Sequence, residues 1–429
     1  MSFNKRGNRW LGKADVIVLV CILFAIYWAI STNTRPPIYP VEAFFAESPR
    51  TNFQVSPDGK WLGFLETDLD AEGNSIRGLF VRSITAGIPG PAAKKILDER
   101  DGLIKAYFWK SPSTVLVHQE IAGGYQSAII AVDMKGDVVA ANTATFEAGA
   151  LRQESTLPQD PNRALISRYV QADGASALMR VDIRHGRHAQ GGALAVLSTR
   201  FRDRLGDGEL VVSSSNLEET LYVLRVSSDR DAGREYLLHA PTETLTKLTV
   251  DAEMIPPMAL AGAAPVAYAA RDGRGIDGYL TLPVGIEGKD LPCIVMPQAE
   301  PWSRDRWKYN PIVQLFANRG YCVMQINYRE SIVHGRSFRE PGMGQLELAM
   351  EDDIEDASKW LIETGVADAN RIGIFGMDHG GYAAISGATK LKYMIKAGDS
   401  GGFKNAADKL QFYHSMIRFF DANLTFIQE

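Results

Sequence analysis

Between Arg371 and Ala384 the chain reads RIGIFGMDHGGYAA. An apolar run, a glycine, three residues and a glycine pair is the spacing of a strand that turns sharply into a helix, holding one side chain out at the turn. Enzymes that attack carbonyl carbon use such a turn as Gly-x-Ser-x-Gly, with the serine as nucleophile. Here Gly376 and Gly380 are in place, but the middle residue is Asp378. A carboxylate at that point has one productive chemistry, attack on an alkyl carbon to give an ester that a histidine-activated water then hydrolyses. The seven histidines are His118, His185, His188, His239, His334, His379 and His414. His379 adjoins Asp378, yet side chains one position apart at a helix start point in different directions. His334 and His414 would reach the turn only by an accident of the fold.

The elements around the turn set its context. Beyond about residue 260, LPCIVMPQ and YCVMQINY read as strands buried on both faces of a parallel sheet. WKYNPIVQLFANRG has helical spacing and ends at a glycine cap. PVAYAARDGRGIDGYLTLP reads as a hairpin, and LAMEDDIEDASKWLIETG as an amphipathic helix. This strand–helix alternation predicts a doubly wound α/β layer. From about 49 to 255 the pattern is different: short strand candidates such as FQVSPDGKWLGFLETD, SAIIAVDMKGD and TLYVLRVSSD, separated by turn residues. At about 40–45 residues per blade, the span holds four or five blades of a propeller.

These residues resemble the prolyl oligopeptidase family of serine peptidases, especially its acylaminoacyl-peptidase and dipeptidyl-peptidase branches. The resemblance is architectural in the β-rich part. It is specific from about 265 to 390, in RDGRGIDGYLTLP, PWSRDRW, QLFANRGYCVMQINYR, HGRSFRE, MEDDIEDASKWLIETG, DANRIGIFG and GGYAA. It implies a β-propeller before a C-terminal α/β-hydrolase domain, and some family members are single-pass membrane proteins with a cytoplasmic N-terminus. The departures fall on the catalytic points. The nucleophile position is Asp378. The oxyanion segment, His-Gly-Gly-Pro in the family, aligns with Gln298-Ala299-Glu300-Pro301, and Arg-Gly-Ser after the next strand aligns with Arg329-Glu330-Ser331. The family's acid and base loops have no counterpart before Glu429, so the expectation is a truncated hydrolase domain. A Cβ and a carboxylate where an oxyanion would sit oppose the chemistry that preorganised N–H donors perform. The expected site is thus catalytically degenerate, with Gln298, Ala299, Glu300, Glu330 and Asp378 as its marks. An Asp378-nucleophile hydrolase, of the haloalkane dehalogenase or epoxide hydrolase kind, and a sensor that binds a peptide or ligand without cleaving it are the alternatives.

Other groupings read blandly. The acidic run Glu351, Asp352, Asp353, Glu355 and Asp356 is expected to be a solvated first turn favoured by the helix dipole. His185 and His188 flank a turn glycine, and no metal or cofactor is expected, although Glu300, Glu330 and Asp378 could together take a cation such as Ca²⁺. Three cysteines make no disulfide framework, and Cys21, Cys293 and Cys322 read as small buried hydrophobes. With one glycosylation-type triplet, at Asn423, the chain fits a bacterial protein. A net charge of −5 over 429 residues, with no basic stripe, excludes nucleic acid as the expected partner.

The N-terminus bears on the compartment. Lys5, Arg6, Arg9 and Lys13 precede Val16 to Ile30, a run without charge that is about long enough to cross a bilayer. The positive-inside bias places the N-terminus in the cytoplasm and the bulk in the periplasm or outside, as in a bacterial inner-membrane protein. The expected order is a basic tail (1–13), a transmembrane helix (14–31), a proline-containing stalk (32–48), a β-propeller-like domain of reduced blade number (49–257) and a truncated α/β-hydrolase-like domain (258–429). The expected role is non-catalytic: an accessory or scaffold subunit contacting other membrane proteins through the transmembrane helix and the periplasmic domains. A second copy of the chain is the other candidate partner.

Overall fold

The computed structural model describes residues 35–46, 48–69, 75–121, 126–147, 151–155, 164–169, 176–181, 201, 204–205, 208–249, 255–299, 304–329, 349–386 and 406–424. The expected transmembrane run and His185, His188, Glu300, Glu330 and His334 lie outside them. Among the described residues, no helix is long and apolar enough to cross a membrane. The chain divides into two units, 47–252 and the combination of 1–46 with 253–429.

The first unit is built from antiparallel meanders. The first sheet holds β1 (Arg50–Val55), β2 (Trp61–Leu69), β3 (Ser75–Thr85) and β4 (Ile88–Asp98) in chain order. The second holds β5 (Leu103–Ser111), β6 (Thr114–Ile121), β7 (Gln126–Asp133) and β8 (Val138–Glu147), also in order. A three-stranded sheet follows, from β9 (Leu151–Ser155), β10 (Ala164–Tyr169) and β11 (Ser176–Val181). The last sheet holds β12 (Glu209–Ser215), β13 (Leu221–Ser228), β14 (Asp231–His239) and β15 (Thr244–Lys247).

First strands abut across sheets, as in successive propeller blades. Tyr107 Oη on β5 donates to Asn52 O on β1 at 2.6 Å, and Val55 N–H on β1 donates to Ser214 Oγ on β12 at 3.0 Å. Alternating apolar residues fill the space between. Phe53, Phe64 and Phe80 pack with Leu221, Val223 and Leu237, and Leu65, Leu79 and Val81 pack with Tyr107, Trp109 and Val115. The Ser56-Pro57-Asp58-Gly59 signal forms the expected turn, with Ser56 Oγ bonded to Asp58 at 2.7 Å and receiving Trp61 N–H at 2.9 Å.

The second unit carries a five-stranded sheet in the order β16 (Ala263–Ala269), β17 (Gly275–Thr281), β19 (Cys322–Asn327), β18 (Leu291–Pro297), β20 (Ala367–Ile374). The first two strands form the expected antiparallel hairpin, and β18, β19 and β20 run parallel. Every residue of β18 and β19 is buried, as continuous apolar runs demand. Among the described residues of this unit are five α-helices: α1 (Val41–Phe44), α2 (Pro311–Asn318), α3 (Ala349–Glu363), α4 (Asp378–Ser386) and α5 (Ala406–Leu424). Asn310 caps α2, its side chain accepting Ile312 N–H at 3.0 Å, with Pro311 at the first helical position. One apolar cluster gathers residues of α1, α2 and α5 with Ile294, Val323 and Phe375. A second packs Met350, Ile354 and Leu361 of α3 against Val295, Met324 and Tyr328.

Two expectations change here. The proline-containing segment does not stand off as a stalk over its described part, because Val41 and Phe44 are each only 2% exposed within the α/β core. The hydrophobic pair at i, i+3 is short, so the prolines around it dominated the sequence reading. Cys293 and Cys322 are buried as expected but are not independent: they are in register on neighbouring parallel strands, 4.5 Å apart at Cα, and form a disulfide. Pairing them requires the strand order, which residue spacing does not supply.

Candidate functional site

The C-terminal ends of β18, β19 and β20 lie side by side, the place where open α/β sheets build their sites. β20 hands over to α4 through Phe375, whose N–H donates to Val295 O at 3.0 Å. Asp378 then opens α4 with φ 49°. A left-handed backbone at a non-glycine residue costs energy and persists only where its surroundings impose it. The surroundings here are glycines under close packing. A Cβ on Gly376 would collide with the backbone of Gly380, and one on Gly380 would lie 2.6 Å from Pro297 O. The strand–turn–helix read from the spacing is therefore present, strain included, and it holds the Asp378 side chain exposed at a helix N-terminus.

Opposite the turn, Gln298 and Ala299 follow β18. The N–H of His379 donates to Ala299 O at 3.0 Å. In a serine-type elbow, the N–H of the residue after the nucleophile is one of the oxyanion donors. That donor is here spent on the chain's own carbonyl. Tyr328, buried just beyond β19, places its hydroxyl 3.4 Å from Gln298 O and 3.2 Å from His379 Nδ1. Burial holds the His379 imidazole below its ordinary range, so the ring is neutral near pH 7. Asp378 and Ala299 thus come together with His379. Gln298 faces the same neighbours through its backbone, while Glu300 and Glu330 lie outside the described residues. Among the described residues, no group of three or more His, Cys, Asp or Glu is placed to hold a metal. His414 belongs to α5 and bonds Glu42 of α1 at 2.9 Å.

Arg329, just after β19, flanks the site. Its N–H, Nε and Nη2 donate to the carboxylate of Asp353 at 2.9, 2.8 and 2.5 Å, and Nη1 donates to Asp272 at 3.0 Å. Beside it, Arg271 holds Asp352, Glu355 and Asp356, at 2.6, 2.6 and 2.9 Å. The acidic run is therefore not a merely solvated turn. Asp353 and Asp356 are buried, and the run clamps the β16–β17 turn and the end of β19 onto α3. The mechanism is charge pairing across 81 to 85 residues of sequence for Arg271 and 24 for Arg329 with Asp353, which helical periodicity cannot reveal. Asp305 was also missed as a separate feature. Its N–H donates to Asn327 Oδ1 at 2.7 Å, tying the loop after the oxyanion segment to β19, and burial pushes its carboxyl up to about 6. The only sequence signal was its place inside PWSRDRW.

The arrangement presents a carboxylate outward, keeps a neutral imidazole inward and leaves the adjacent backbone donor satisfied. It has the strand–turn–helix shape of an acyl-transfer elbow, with aspartate at the nucleophile position and the His379 N–H bonded to Ala299 O.

Comparison with known proteins shows what the chain is similar to. Residues 307–400 match the prolyl oligopeptidase family. The chain is 30% identical over 194 residues to dipeptidyl aminopeptidase BIII of Pseudoxanthomonas mexicana, covering 44% of this chain and 28% of that protein. It is 27% identical over 143 residues to dipeptidyl peptidase family member 6 of Caenorhabditis elegans, covering 28% of this chain and 19% of that protein. The matches therefore take in less than a third of either relative's own length. Among solved structures, the acylaminoacyl peptidase of Pyrococcus horikoshii aligns with a TM-score of 0.48 at 13% identity, over 80% of this chain and 68% of that one.

Proposed function

We propose that this prolyl oligopeptidase-family, serine-peptidase-like chain no longer hydrolyses peptides and serves as a membrane-anchored accessory or scaffold subunit of a membrane protein complex. The observation that carries the non-catalytic half is the His379 N–H bonded to Ala299 O at 3.0 Å, beside an aspartate at the nucleophile position. In enzymes that depend on an oxyanion donor, loss of one costs on the order of 10²–10³ in kcat. Here one donor is occupied and the serine is replaced as well. An exposed carboxylate beside that position further opposes a developing oxyanion.

The anchored half is supported by Lys5, Arg6, Arg9 and Lys13 ahead of the uncharged run Val16 to Ile30. On this reading the N-terminus is cytoplasmic and both units are periplasmic, in a bacterial inner membrane. The Cys293–Cys322 disulfide supports the same side, since such bonds persist in oxidising compartments. Anchored propeller-like and α/β surfaces without chemistry are suited to holding neighbours in place, and other membrane subunits are the expected partners.

Each half has its own measurement. A fluorophosphonate probe and a panel of peptide, ester and epoxide substrates should give neither labelling nor turnover with the full chain. Asp378→Ser should gain none, because the His379 N–H stays bonded to Ala299. Turnover by the natural chain that disappears in Asp378→Ala would overturn the non-catalytic reading and install Asp378 as nucleophile. For the scaffold role, mild detergent extraction should yield the chain in a species larger than itself, with a defined membrane protein in fixed ratio. Recovery solely as a free monomer would count against it.

A further inference from the structure

The segment 35–46 is bound to one particular end of the α/β unit. Arg35 Nη2 donates to Arg319 O at 3.3 Å, Asn318 Nδ2 donates to Pro37 O at 2.9 Å, and Tyr39 N–H donates to Asn318 Oδ1 at 3.1 Å. A Cβ on Gly320 would lie 3.3 Å from Arg35 Nη2 and 3.4 Å from Ile286 Cδ1, so these three residues share one spot. Arg319 and Gly320 come just before β19, and Ile286 just before β18. The segment therefore begins at the N-terminal edge of the parallel strands. The elbow is at the other edge, with Ala299 after the end of β18 and Asp378 after the end of β20. Strands of six or seven residues separate the two edges by about 20 Å.

Residues 31–34 are all that stand between the apolar run ending at Ile30 and the docked Arg35. Five Cα steps reach at most about 18 Å. An anchor ending at Ile30 holds the Arg35 edge within that distance of the membrane, too short a tether for the unit to turn over. We infer that the N-terminal edge of the parallel strands, with Arg35, Ile38, Ile286 and Lys289, is the surface that faces the phospholipid bilayer, and that the elbow face with Asp378 and Tyr382 is turned away from it. Ile38 is 63% exposed, and Arg35 and Lys289 are exposed as well, a mixture of apolar and basic groups suited to a headgroup interface. Glu287 and Asp290 are exposed on the loop before β18 as well, so the tether and not a positive field sets the orientation. This inference rests on the anchored reading. It adds that whatever meets the elbow face comes from the aqueous side and not from lipid.

The test uses the full chain in phospholipid vesicles with Cys21→Ala, leaving the Cys293–Cys322 pair in place. A donor dye is attached at Lys289→Cys or at Tyr382→Cys, and an acceptor dye is carried on the lipid headgroups. The expected result is a larger loss of donor fluorescence at position 289 than at 382. Equal or reversed losses in protein that floats with the vesicles overturn the orientation while leaving the anchor standing. Protein that fails to float overturns the anchor, and the orientation with it.

Discussion

Replacing Asp353 with alanine is expected to destabilise the α/β unit by about 3–5 kcal/mol, the cost of removing one partner from a buried ion pair. Asp353 is 0% exposed and accepts three hydrogen bonds from Arg329, whose side chain is 7% exposed. Without it, the guanidinium stays buried with Asp272 as its remaining carboxylate, 3.0 Å away. Replacing Arg329 and Asp353 together by apolar residues of similar size should cost far less than Asp353→Ala alone, because no charge is then stranded. Glu355→Gln, which loosens exposed contacts to Arg271 and Lys359, should cost no more than about 1 kcal/mol. Hydrogen exchange of the α3 amides reads these losses locally in a chain of two units. An Asp353→Ala loss below about 1 kcal/mol would mean that water reaches the pair.

The same clamp sets an acid limit. Backbone donation from Arg274 and then Arg329 hold Asp272 below the usual carboxylate range, and Arg271 followed by Lys359 does so for Glu355. For Asp356 burial pushes upward, but the Arg271 hydrogen bonds outweigh it and the carboxyl is lowered as well. Carboxyls depressed in the folded state contribute stability that is present above their unfolded values, near 4, and lost as pH falls through the lower folded ones. Local exchange protection of α3 should therefore hold from neutrality down to about pH 5 and fall away at lower pH.

What the sequence disclosed follows from the range of the interactions involved. The elbow was legible because its glycines act within five residues: Gly376 and Gly380 are needed where the turn packs on itself, and that spacing survives the change of serine to aspartate. The buried strands LPCIVM and YCVMQI were legible because lack of alternation is itself the signal of burial on both faces. The failures are all long-range. Arg271 and Arg329 meet the acidic run across the sheet, Cys293 meets Cys322 through strand order, and His414 meets Glu42 across most of the chain. The occupied donor at His379 belongs to the same class. Its partner Ala299 was singled out as a poor oxyanion residue because of its Cβ, whereas the structure makes its carbonyl the part that matters.

Phe44→Ala should cost about 3–5 kcal/mol, the range for emptying a buried phenylalanine site. Phe44 is 2% exposed, its ring sits edge-on to Tyr39 at 6.5 Å, and the Arg319 guanidinium lies 5.6 Å from the ring centre. Its carbonyl accepts Tyr309 Oη at 3.0 Å, and Phe45 beside it stacks on Tyr413 of α5 at 4.3 Å. The apolar cluster it joins includes Phe316, Met416 and Phe420, so the vacated volume is lined by large side chains that cannot all collapse into it. Ile38→Ala, at an exposed position of the same segment, should stay within about 0.5 kcal/mol. Equal and small effects at both positions would mean that the segment hangs free after all. A large effect confined to Phe44 would mean that the segment following the proposed membrane anchor is a structural part of the α/β unit. The unit could not then pivot on a loose stalk, and under the proposed anchoring its elbow face would be held in a fixed attitude.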